Sequence, residues 1–122
     1  MTETQSYIID VINLVPVNSI LFIQAPSIED SGILKLMQPS SFEYYKYILL
    51  SQKNKRLLIE VISNENIEVY FQKIEIRLNA HLLFEAYDGM EFGIISKKLR
   101  LSDQFAEIYI YSKKMCIISN EW

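Results

Sequence analysis

The chain has 122 residues, half of them apolar, and a net charge of −3, which suits one self-supporting core and excludes an intrinsically disordered chain. The acidic balance lacks the basic footprint of a nucleic-acid binder. The single cysteine, Cys116, excludes an internal disulfide and fits a reducing, cytoplasmic compartment.

In chain order, Met1-Thr-Glu-Thr-Gln lacks the basic stretch of a secretory signal, and no apolar run approaches the ~18 residues of a membrane helix. Tyr7 to Val15 places Ile8, Ile9, Ile12 and Val15 at helical spacing, with Ser6 as the expected N-cap and Pro16 as the stop. Ser19 to Ala25 is β-branched and aromatic and halts at Pro26, as a buried strand would. Ser27 to Met37 predicts a short helix, weakened by Gly32. Phe42 to Gln52 predicts a longer one, with Phe42, Tyr45 and Leu49 on a common face.

Lys55 to Ile62 reads as a strand and Ser63 to Asn66 as a turn. Residues 67–78 fit a helix face and also a strand with one change of phase; residue type favours the strand. Asp88-Gly89 between His81–Tyr87 and Met90–Ser96 is a hairpin signal. Ser102 caps one turn of helix, and Ile108–Tyr111 and Met115–Ile118 read as two further strands. Helices early and strands late imply an α+β fold in a single globular domain, residues 1–122. The expected architecture is an antiparallel sheet of about five to seven strands, with two or three N-terminal-half helices on one face.

Motifs that carry chemistry are absent. Three glycines cannot build a phosphate loop, and no Cys or His pair has zinc spacing. No catalytic residue, metal or other cofactor is expected. Cys116 lies in an apolar run and reads as a buried small hydrophobe. His81, the only histidine, has no partner in the sequence and reads as a structural or surface residue at a strand start.

Two features suit a protein partner. Residues 79–96 hold three acids, Glu85, Asp88 and Glu91, and no base, so this hairpin is acidic and would attract a basic surface. The chain has eight tyrosines, and tyrosine is enriched at interfaces. Tyr44 and Tyr47, off the core face of the expected helix, are candidate anchors, as is Tyr87 beside the acids. A small, acidic, motif-free domain of this texture resembles the immunity proteins of bacterial toxin systems. That resemblance implies a non-catalytic domain that neutralises a toxin by covering it, with a basic toxin domain as partner and neither nucleic acid nor membrane. The alternatives are a small-molecule-binding or catalytic domain, with His81 or a carboxylate lining an apolar pocket, and a self-assembling subunit or homodimer joined through sheet edges or tyrosines.

Overall fold

Alternating burial along the strands sets the architecture. In a computed structural model describing residues 1–42 and 44–122, Ser19–Gln24 (β1) turns Leu21 and Ile23 inward and Ile20 and Phe22 outward. Around β1 are arranged Gln38–Pro39 (β2), Lys46–Leu50 (β3), Lys73–Leu78 (β4), His81–Tyr87 (β5), Phe92–Ile95 (β6) and Cys116–Ile118 (β7), in the order β2-β3-β1-β4-β5-β6-β7. Every neighbouring pair is antiparallel except β6–β7. With helices Glu3–Leu14 (α1), Ser31–Leu36 (α2) and Gln52–Asn64 (α3) in the N-terminal half, the fold is α+β, as expected.

Helix α1 starts earlier than Ser6. Thr2 and Gln5 form a reciprocal capping box, and Ser6 lies inside the first turn. The helix stops before Pro16, as its missing N–H and steric demand on Val15 require. Its buried side, Tyr7, Ile8, Val11 and Ile12, meets the core face of the sheet. Tyr7 stands edge-on to Phe84 at 5.9 Å, and the Gln5 amide donates to the Ile62 carbonyl at 2.7 Å, tying α1 to α3. The helix of the 27–37 segment is confined to Ser31–Leu36, capped by Asp30.

Two expectations are reversed. The helix foreseen over 42–52 is a strand where the structure describes it in regular form: Lys46–Leu50 pairs with β1, and Ile48 lies opposite Leu21 with both buried. Glu43, part of that expected helix, lies outside the described residues. The strand foreseen over 55–62 is helix α3. Ser51 caps it by accepting from the Asn54 amide at 3.1 Å, and Leu58 and Ile62, four apart, fill the core. Burying such a side chain is worth roughly 1.5–3 kcal/mol, so two buried helical positions outweigh the modest β preference of Ile and Val.

The 67–78 segment is divided. Ile67–Tyr70 is one turn of 3-10 helix, and only Lys73–Leu78 is strand. The β5–β6 hairpin forms, but with a four-residue turn at 88–91, so Met90 and Glu91 precede the second strand. Asp88, Gly89 and Met90 all have positive φ. Gly89 is required there, because a Cβ would lie 3.1 Å from the Val69 carbonyl oxygen.

Ser102 does cap a helix, Asp103–Phe105 (α4). The chain then continues as π-helix through Ser112 rather than as a strand at 108–111, shown by the Lys113 amide donating to the Ile108 carbonyl at 2.9 Å. Phe105 and Tyr109 stay on one side and pack together at 4.9 Å, and Tyr109 reaches Tyr7 at 5.0 Å. This helical crossover lets β7 return parallel to β6.

Candidate functional site

The helices leave one face of the sheet open. Because side chains alternate, the cross-strand register fixes which residues share that face. The central row runs Ile117, Ile94, Glu85, Glu75, Phe22, Tyr47 and Gln38 from β7 across to β2. On one side of it, Phe92, Tyr87, Lys73 and Gln24 lie opposite one another in turn; on the other, Arg77, Ile20 and Leu49 do so. Leu49 is 41% exposed, Phe92 43% and Ile117 51%, while Ile20, Phe22, Tyr47, Tyr87 and Ile94 are half-buried. Phe22 lies 6.5 Å from Tyr47 and 4.9 Å from Phe42 of the preceding loop. The face is therefore aliphatic and aromatic at both ends, with charge in the middle.

That charge is ordered. Lys73 Nζ lies 3.4 Å from Glu75 Oε1 and Arg77 Nε lies 3.2 Å from Glu75 Oε2. The Lys73 ammonium also stands 5.3 Å from the centre of the Tyr87 ring. Partial burial opposes the charged ammonium, but Tyr45, Tyr87 and Glu75 together outweigh it and leave its pKa above the ordinary lysine value. The Tyr87 hydroxyl is pushed up by burial first, then by the Glu85 carboxylate two residues along the strand.

The expected anchors divide between this face and its margins. Tyr47, Glu85 and Tyr87 lie on the open face. Asp88 and Glu91 are exposed on the adjoining turn. That turn does not project freely: the Gly89 amide donates to Phe71 O at 2.8 Å, the Asp88 amide to Gln72 O at 3.0 Å, and Met90 is buried. Tyr44 is separate from them, in the loop before β3, with φ of 71° and 77% exposure. Sequence reasoning missed Phe22, Leu49, Lys73, Arg77, Ile94 and Ile117. The alternation of Ile20 and Phe22 with Leu21 and Ile23 was the available signal for the first of these.

Beside the face lies a cleft of about 790 Å³, walled by Ile28, Leu34, Met37, Phe42 and Tyr45 among others, with Lys46 at its rim. Among the described residues, neither His81 nor any carboxylate lines it; His81 is exposed at the start of β5. Cys116 is buried, and burial pushes its thiol up to about 11 although the neighbouring Tyr7 hydroxyl acts the other way, so at neutral pH it is protonated and shielded. Among the described residues there is no group of three or more His, Cys, Asp or Glu able to hold a metal ion, and no helix is long and apolar enough to cross a membrane. Compared with protein-family models, curated proteins and solved structures, the chain shows no match.

Proposed function

We propose that this chain is a non-catalytic protein-binding domain whose docking surface is the open face of the sheet, and that its partner is a basic protein of the kind an immunity protein neutralises. The observation that carries the reading is the open-face row from Ile117 to Gln38, in which Ile117 and Ile94 on one side and Phe22 and Tyr47 on the other flank the Glu85–Glu75 pair, with no described helix packed upon it. Exposed apolar side chains such as Leu49, Phe92 and Ile117 favour association, and Phe22, Tyr47 and Tyr87 supply the aromatic residues in which interfaces are enriched. The acids at the 88–91 turn stand at the margin, where they speed encounter with a basic partner more than they hold it.

The test is affinity capture from lysate of the source organism, with and without Leu49→Asp plus Phe92→Asp. Both positions are exposed, so the fold tolerates the change. The expected result is a single stoichiometric basic protein that the double variant fails to capture. Leu34→Asp, on the cleft wall and 47% exposed, retains it. If that captured protein is a toxin, co-expression of this chain restores growth. Capture that survives the double variant would sink the face as the docking surface.

A second reading, a small-molecule-binding domain, is favoured by the cleft alone. It predicts a ligand-induced rise in melting temperature that Leu34→Asp abolishes and Leu49→Asp does not.

A further inference from the structure

We infer that the cleft beside α2 takes a small apolar molecule carrying one carboxylate, with Lys46 as its counter-ion. This rests on the second reading above, in which the cleft is a ligand site; it names the class of ligand and is independent of the open face.

Register decides where Lys46 points. Residues 46, 48 and 50 of β3 lie on the helix side of the sheet, where Ile48 and Leu50 are fully buried opposite Leu21 and Ser19 of β1. Lys46 comes next in that row. It lies opposite Ile23, itself fully buried, and on its other side opposite Pro39 of β2. A row that packs the core therefore ends in an ammonium. An inward-pointing charge can guard a sheet edge against a further strand, but β2 already covers β3 at Lys46 and Tyr47, so edge protection does not account for it.

The row opens into the cleft. Its volume, about 790 Å³, falls in the range of sites that hold small molecules. Ile28, Leu34 and Met37 give it aliphatic walls, and Phe42 and Tyr45 aromatic ones. Leu34 and Phe42 are 47% and 45% exposed, so an apolar ligand gains by drying surface that the fold leaves wet. Among the described residues, Lys46 is the single charged side chain that lines the cleft. Its stem continues the apolar wall while its head stays in water. One cation matches the single charge of a carboxylate. A phosphate monoester, carrying about two charges, would be left partly unpaired, and an amine would be repelled.

The experiment is a nitrogen-15 amide NMR titration of the full chain with octanoate, hexanoate, octanol and octylammonium. Octanoate shifts the amides of Ile28, Leu34, Met37 and Lys46, and binds about tenfold more tightly than hexanoate, which lacks two methylenes. Lys46→Met weakens octanoate about threefold and leaves octanol unchanged. Lys46→Glu makes octylammonium the tighter of the two charged ligands. Octanoate binding that Lys46→Met leaves as it was, or weakens no more than octanol, overturns the carboxylate assignment while keeping the cleft as a ligand site. If none of the four probes shifts those amides, or the shifts fall on Leu49 and Phe92 instead, the cleft itself is overturned as the site.

Discussion

Alkaline pH should destabilise this fold through Cys116 before any other group acts strongly. The thiol is 1% exposed, and burial moves its pKa from 9.0 up to about 11. Between those values the unfolded chain releases the proton and the folded chain retains it. The folded state then binds more protons than the unfolded one, and stability falls as pH rises. The contribution is fully present below the unfolded value. A difference of about two units amounts to roughly 2.7 kcal/mol by the time both states have titrated, of which roughly 1.3 kcal/mol is lost between pH 8 and pH 10. Burial raises Tyr7 and Tyr109 in the same direction, but their unfolded pKa near 10 delays their share to higher pH.

Urea unfolding at pH 8, 9 and 10 under reducing conditions, for the wild type and Cys116→Ala, measures the effect. Alanine leaves a small cavity and lowers stability at every pH, yet it cannot titrate, so the comparison rests on the slope. The wild type should lose roughly 1.3 kcal/mol more than the variant across the range. Equal slopes would show that the thiol ionises as readily in the folded chain as in the unfolded one, and the account of its burial would fail. The same burial predicts that Ellman's reagent at pH 8 labels Cys116 only after urea is added.

Three further substitutions test the packing of α1 against the rest of the core. Gly93→Ala would place a Cβ 2.3 Å from the Tyr7 hydroxyl, an overpacking cost of about 1–3 kcal/mol; adding Tyr7→Phe should recover part of it, and strict additivity in a double-mutant cycle would refute the clash. Thr4→Val removes the donor that lies 2.7 Å from Glu68 Oε2, whose sister oxygen has no partner in a fully buried side chain. The expected loss is about 2 kcal/mol in chemical denaturation, with Glu68→Leu on top regaining most of it. The Lys55 ammonium donates to the Val15 carbonyl at the C-terminal end of α1, so Lys55→Met should cost about 1 kcal/mol, read from the same urea curves.

Local chemistry was the legible part of this fold. Pro16 ending α1, Ser102 capping α4 and the hairpin around Asp88-Gly89 each follow from a constraint within a few residues of chain. The segments 42–52 and 55–62 were read in exchanged form because their local signals balance. Phe42, Tyr45 and Leu49 have helical spacing, yet Ile48 and Leu50 alternate, and only pairing with Leu21 and Ser19 of β1 decides between them. Lys-Arg-Leu-Leu-Ile-Glu-Val-Ile carries β-branched residues, yet its buried members, Leu58 and Ile62, are four apart, and the Ser51 cap before it is the local sign of a helix. The open face was illegible for a stronger reason. A residue's side of a sheet depends on register, and register here includes a bulge between Ile76 and Arg77 that composition does not announce. Tyr47, Glu85 and Tyr87 were singled out as interface chemistry, but their neighbourhood with Phe22 and Ile94 exists only once five strands are aligned.

The two edges of the sheet bear on how the protein associates. Strand β2 has two residues, and the second, Pro39, has no N–H to offer an incoming strand. Strand β7 has three residues, Cys116 to Ile118. Short edges and edge prolines are how sheets avoid pairing edge to edge, so growth by strand addition gains few hydrogen bonds here, whereas the open face offers the side chains of five longer strands. Ile118 is 42% exposed at the β7 edge, and Ile118→Lys places a charge where an added strand would lie. That variant should sediment as the wild type does across a hundredfold concentration range, while Leu49→Asp plus Phe92→Asp removes whatever self-association the wild type shows. A fall in sedimentation coefficient caused by Ile118→Lys alone would move the site of association from the face to the edge and turn the reading towards a subunit that assembles by continuing its sheet.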